Sequence, residues 1–174
     1  IAEEGGIERL VALVARSEKA APHEAATQAL WHLAADEDNQ LAIARLGGLA
    51  PLVRLLAEGS EQCQEWAAAA LEALARDCES NQAALYRAGA VAPLVALLGC
   101  GEDETAAYAQ GALLSIATPG ADTRGAVVRP LVQLLEQRNA SAQRNAAETL
   151  SLLSSRSAAN RSTIAVAGAI PPLV

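Results

Sequence analysis

Gly47-Gly48-Leu49-Ala50-Pro51-Leu52-Val53-Arg54-Leu55-Leu56 decides the fold, because the chain repeats it 42 residues later as Gly89-Ala90-Val91-Ala92-Pro93-Leu94-Val95-Ala96-Leu97-Leu98. An earlier version, Gly5-Gly6-Ile7-Glu8-Arg9-Leu10-Val11-Ala12-Leu13-Val14, stands 42 residues upstream. Two more follow: Val128-Arg129-Pro130-Leu131-Val132-Gln133-Leu134-Leu135 and Gly168-Ala169-Ile170-Pro171-Pro172-Leu173-Val174. The leucine of the phrase steps from Leu10 to Leu52, Leu94, Leu131 and Leu173, at intervals of 42, 42, 37 and 42 residues. Self-similarity at this period marks a stacked array, in which no unit buries its apolar face alone.

Residues 38–77 are the clearest unit. Asn39 is placed to cap a short helix running to about Leu46. Gly47 sits where a helix ends in a left-handed residue. Pro51 falls in the first turn of a second helix, where a missing N–H costs nothing. Leu49, Leu52, Val53, Leu55 and Leu56 give that helix an i, i+3, i+4 stripe. Gly59-Ser60 ends it, and a third helix is expected over 61–76, with Trp66, Ala67, Ala70, Leu71 and Leu74 on its apolar face. Helices this short need a neighbouring unit to be stable. Asn39 recurs as Asn81 and Asn160, each eight residues before a glycine (Gly47, Gly89, Gly168). Pro51 recurs as Pro93, Pro130 and Pro172. The third helix recurs over 22–35, 103–117 and 140–154, each with an apolar face containing an Ala-Leu or Thr-Leu pair: Ala29-Leu30, Ala112-Leu113, Thr149-Leu150.

One unit departs. Between Ile116 and Val128 about five residues of the short first helix are missing. The segment Thr118-Pro119-Gly120-Ala121-Asp122-Thr123-Arg124-Gly125 is rich in turn formers, so a loop or single turn is expected there. It either changes the superhelix angle slightly or makes a kink or partner-contact loop. The units are then 1–37, 38–79, 80–119, 120–156 and a partial 157–174. Array ends normally carry polar capping repeats. Ile170, Leu173 and Val174 would face nothing, so a section of a longer array is expected.

The formal charge of −7 argues against generic nucleic-acid or anionic-membrane binding, which needs basic patches. Alanine makes up about a quarter of the chain and phenylalanine and methionine are absent, which favours closely packed helices with Leu, Val and Ile as bulk. No apolar run is long enough to span a membrane. Cys63, Cys78 and Cys100 lack CxxC spacing and are read as reduced, packed thiols in an intracellular, cytoplasmic or nuclear setting. Asn139-Ala140-Ser141 and Asn160-Arg161-Ser162 match a glycosylation pattern that matters only in a secreted protein. Acidic clusters at Asp36-Glu37-Asp38, Asp77-Cys78-Glu79 and Glu102-Asp103-Glu104 suit helix starts, where negative charge meets the positive dipole end, or an acidic rim steering a basic partner.

The phrase Gly-Ala-(Ile/Val)-x-Pro-Leu-Val-x-Leu-Leu, with an Ala-Leu long helix and an Asn-initiated short helix, resembles the armadillo repeat over nearly the whole chain. The resemblance implies an all-α, right-handed superhelix (an α-solenoid) of about four three-helix repeats, with the third helices lining a concave groove that holds extended peptides or partner helices. In the peptide-binding branch an Asn on each third helix, and in the importin branch a Trp one turn earlier, clamp the peptide. Here the Asn position holds His32, Ala73, Ser115 and Leu152, and the earlier position holds Gln28, Ala69, Gly111 and Glu148. That ladder chemistry does not carry over.

Other positions take its place. Seven residues before the Asn position stand Ala25, Trp66, Tyr108 and Asn145; three after it stand Ala35, Arg76, Thr118 and Ser155. The groove candidates are therefore Gln28, His32, Trp66, Arg76, Tyr108, Ser115, Asn145 and Glu148. Trp66 and Tyr108 either face the groove or pack between repeats; Trp31 and Tyr86, outside the row, are read as packing. His32 and Asp36 stand four apart, a half-site for a metal with no suitable third ligand, so no metal or cofactor is expected. No phosphate loop, dinucleotide fingerprint, nucleophile elbow or zinc-protease motif is present, and enzymatic activity is not expected. The expected role is a non-enzymatic module binding a protein or peptide partner along the groove. The alternatives are an architectural piece of a larger complex, or the targeting arm of a larger enzyme such as a ubiquitin ligase.

Overall fold

The computed structural model describes residues 4–16, 20–100, 103–118 and 120–168, and every regular element among them is a helix. Repeat 1 supplies α1 (Glu4–Arg16) and α2 (Ala20–Leu33). Repeat 2 supplies α3 (Glu37–Arg45), α4 (Leu49–Glu58) and α5 (Glu61–Ala75). Repeat 3 supplies α6 (Glu79–Arg87), α7 (Val91–Cys100) and α8 (Asp103–Ile116). Repeat 4 has only α9 (Ala121–Leu135) and α10 (Ala140–Arg156), and α11 (Ala158–Val166) opens the next unit. Pro119, Glu102, Pro172 and the chain-end residues Ile170, Leu173 and Val174 lie outside the described residues, as does the side chain of Cys100. No single helix among the described residues is long and apolar enough to cross a membrane.

The stripe on the second helix does what its spacing predicts. Leu49, Leu52, Val53, Leu55 and Leu56 are all buried, and Leu94 and Leu131 in the following repeats are completely so. Burying one such side chain stabilises by about 1.5–3 kcal/mol. Leu30, Leu71 and Leu113 on the third helices join the same continuous core. Gly47, Gly89 and Gly168 adopt φ of +79°, +78° and +86°, the left-handed conformation that only glycine enters without steric cost. At the first two, the chain turns through 83° between α3 and α4 and 84° between α6 and α7.

Repeat 4 corrects the expectation of a loop before Val128. Residues 121–135 form one helix. The Thr123 hydroxyl closes its start, accepting from the Gly120 N–H at 3.1 Å and donating to the Gly120 carbonyl at 3.0 Å. The decisive position lies four residues before the proline. Gly47 and Gly89 occupy it in repeats 2 and 3; Ala126 occupies it here, and with no left-handed residue the helix runs on. Pro130 consequently sits in the helix interior, not in a first turn.

The recurring asparagine is also not the cap that its residue type suggests. Asp36 caps α3, accepting from the N–H groups of Asp38 and Asn39, and Ser157 caps α11. The asparagines lie inside the first turn, buried. Asn81 Nδ2 donates to the Leu74 carbonyl at 2.9 Å, and Asn160 Nδ2 to Leu153 at 2.7 Å. Gln82 and Gln40 donate likewise to Ala75 and Ala34. A helix leaves its last four carbonyls without intrahelical partners, and these amides satisfy them at the turn into the next repeat.

Further polar contacts tie neighbouring repeats together. Arg54 Nη2 donates to the Val14 and Ala15 carbonyls near the end of α1, and Arg156 Nη1 to Leu114 on α8. Asn139 and Asn145 donate to Gly99 and Leu98, near the end of α7, at 2.8 Å each. Cations and N–H donors belong at the negative C-terminal end of a helix.

Candidate partner-binding surface

The third helices stack side by side: α5 packs extensively against α2 on one side and α8 on the other. On their shared face three aromatic rings from three successive repeats meet. Trp31 of α2 stacks on Trp66 of α5 with centroids 5.1 Å apart, and meets Tyr108 of α8 edge-on at 6.2 Å. All three are half-buried. Beside them opens a cleft of about 590 Å³, lined by Trp31, His32, Ala73, Glu72, Arg76 and Tyr108 among others. Ala73, at the Asn position of α5, lines the same cleft.

The cleft is electrostatically uneven. Arg76, the C-cap of α5, contacts Glu72 Oε1 through Nη2 at 2.8 Å. The same carboxylate side chain lies against Gly111 of α8, where a Cβ would come within 2.6 Å of Glu72 Cγ. Burial raises the Tyr108 phenol above its usual pKa, and the negative charges of Glu104, Glu65 and Glu72 push it further.

His32, lining the same cleft, is exposed, its ring 4.5 Å from that of Trp31. The other predicted residues disperse. Gln28 is exposed on α2. The Ser115 hydroxyl donates to the Gly111 carbonyl of its own helix at 3.1 Å. Asn145 donates its amide to Leu98, so that group serves the joint between repeats. With exposed Glu148, Asn145 lines a second, polar cleft of about 400 Å³ between α8 and α10. There Arg144 pairs with Asp103 at 3.0 Å. Neither Asn139 nor Asn160 presents a free amide, since each donates to a carbonyl. Sequence reasoning missed Trp31 and Glu72. They hold the same place in successive repeats, one residue before the Asn position, so that neighbouring row was the available signal.

The Armadillo/beta-catenin-like repeat family matches residues 36–76 and 125–155. These two segments are armadillo repeats. Solved structures similar to it include a designed armadillo repeat protein in complex with the peptide (KR)4, 25% identical with a TM-score of 0.76, covering 96% of this chain and 72% of that one. Computationally designed armadillo repeat proteins for modular peptide recognition are 27% identical, also at 0.76, over 96% and 72%. An engineered protein is 29% identical at 0.75, over 94% and 68%. No curated protein matches the chain in sequence. At the ladder position of α5 stands the buried Ala73, and Ala69 one turn earlier is wholly buried.

Proposed function

We propose that these armadillo repeats form a non-enzymatic interaction module that holds an extended partner segment along the groove of third helices. The observation that carries this reading is the aromatic step. Trp31, Trp66 and Tyr108 come from three consecutive third helices and keep part of their surface in solvent beside an open cleft. Aromatic residues are favoured anchors at interfaces, because they bury large area with little loss of side-chain freedom. Likeness to designed armadillo proteins made for peptide recognition supports the same reading. The free thiols of Cys63 and Cys78 suit a reducing compartment inside the cell.

A photo-crosslinking amino acid at Gln28 tests it against one at Arg129 on α9. We expect partner adducts from position 28, lost when Tyr108→Ala is added with helicity unchanged. Adducts from position 129 alone would sink the groove reading. A second reading rests on a different observation: Leu41 and Leu46 are 37% and 40% exposed beside a cleft of about 820 Å³ between α1 and α3. It makes the chain an architectural piece contacted along that edge, and a crosslinker at Leu46 reports on it.

A further inference from the structure

We propose that the cleft between α1 and α3 is a second binding site, separate from the groove of third helices, and that it takes an extended peptide segment, its backbone on the Asn39 amide and a leucine-type side chain between Leu41 and Leu46. Such a site rests on the edge reading, to which it gives a ligand, and owes nothing to the groove.

The turn before α3 is one residue shorter than its counterparts. Leu30 and Asn39 stand nine residues apart, whereas Leu71 and Asn81, and likewise Leu150 and Asn160, stand ten apart. Asn81 and Asn160 donate their amides to the carbonyls of Leu74 and Leu153. The counterpart of Leu74 is Leu33, whose carbonyl instead accepts the Asp36 N–H at 3.3 Å. Asn39 is only 9% exposed, yet its side-chain amide has no hydrogen-bond partner among the described residues. Leaving a buried amide unpaired opposes folding, and this one belongs to a residue that lines the cleft.

The same cleft carries leucines that the other repeats lack. Two and seven residues after the asparagine stand Leu41 and Leu46 here, Ala83 and Ala88 in repeat 3, and Ser162 and Ala167 after repeat 4. Those counterparts are exposed or half-buried although repeats precede them, so these positions face outward in the stacked array. Leucine at both is therefore not needed to stack one repeat on the next, and it sets an apolar surface beside an unpaired amide. An extended segment matches both features. It keeps free backbone N–H and C=O groups, which a helix satisfies internally, and an Asn amide offers the acceptor and donors that pair with them. Glu8, Asp36 and Asp38 outnumber Arg45 on the rim, so an acidic segment meets like charge.

Heteronuclear NMR tests the site through the Asn39 side-chain amide signals, assigned by their loss in Asn39→Ala. The probe is acetyl-Lys-Ser-Leu-Ser-Leu-Ser-Lys-amide, and in a matched peptide serine replaces both leucines. The leucine peptide should shift the Asn39 signals saturably and bind about tenfold more tightly than the serine peptide. Read at the backbone amides of α3, Asn39→Ala and Leu46→Ala should each weaken it about tenfold, whereas Leu152→Ala, a similarly exposed leucine on α10, should not. Asn39→Ala should hold the melting temperature to within about 1 °C, having no bond to lose, and Asn81→Ala should lower it by about 2 °C or more. Equal melting losses would show that the Asn39 amide is bonded within the fold and would overturn the assignment. So would equal binding of the two peptides, the absence of a saturable shift, or indifference to either cleft substitution. Shifts at Asn39 that follow protein concentration without peptide would make a second copy the occupant and overturn it too. In each of these cases the groove is decided separately by crosslinking at position 28, and contact of a folded neighbour along the edge by crosslinking at Leu46.

Discussion

Repeats 2 and 3 stack their third helices closely, and repeats 3 and 4 do not. α5 and α8 lie against each other along their length, whereas α10 leans mainly on α9, α7 and α11 and touches α8 little. The core phrase is the same on both sides. What differs is the hinge: Gly47 and Gly89 turn the chain sharply before the second helices of repeats 2 and 3, and Ala126 lets α9 run straight through. The first step ends in an apolar aromatic seam, the second in a polar cleft held by Arg144 and Asp103. Loss of the left-handed residue, together with about five residues of the short first helix, thus accompanies a different presentation of the next third helix.

If only the hinge differs, the cores should respond alike: Leu94→Ala and Leu131→Ala, both fully buried, should each cost about 2–5 kcal/mol in chemical denaturation. A much smaller loss at Leu131 would show that repeat 4 is loosely packed as well as differently hinged. Next comes the joint that repeat 4 lacks. Asn81→Ala leaves the Leu74 carbonyl without its amide donor and should cost about 1–3 kcal/mol; a neutral result would make the buried asparagine dispensable.

The glycines should move in opposite directions. Gly89→Ala forces a side chain into φ +78° and should destabilise by about 1–2 kcal/mol. Gly125→Ala, inside α9 with open space at its Cβ, should stabilise by about 0.5–1 kcal/mol. Thermal melts of the pair settle the sign. The smallest effect is ionic. Tyr108 should ionise above the usual tyrosine value in an ultraviolet titration, and Glu72→Gln should lower it. Because its folded pKa is raised, any stability it contributes is present below the unfolded pKa, near 10, and lost as pH rises through the folded value.

Much of this fold is legible in the sequence, because a repeat states each local rule several times. Three glycines at one register position predict three left-handed turns, and the leucine stripes predict the buried faces. What the sequence hides is tertiary. Asn39, Asn81 and Asn160 are good capping residues by type. Nothing local shows that the amides of Asn81 and Asn160 reach back to the preceding helix, or that Asp36 and Ser157 do the capping. The stretch around Gly120 is rich in turn formers, and only the alanine at the hinge position reveals that the helix continues. Trp31 reads as packing because Trp66 and Tyr108 sit one and two repeats away in the chain, and only the stacking of the third helices brings the rings together.

Trp31 and Trp66 are the only tryptophans in the chain, so the groove carries its own reporters. The most direct measurement follows their two indole N–H resonances while a partner captured through position 28 is titrated in. Both should shift saturably with one dissociation constant, while the amides of α9 hold still. Saturable binding that leaves both indoles unmoved would contradict it.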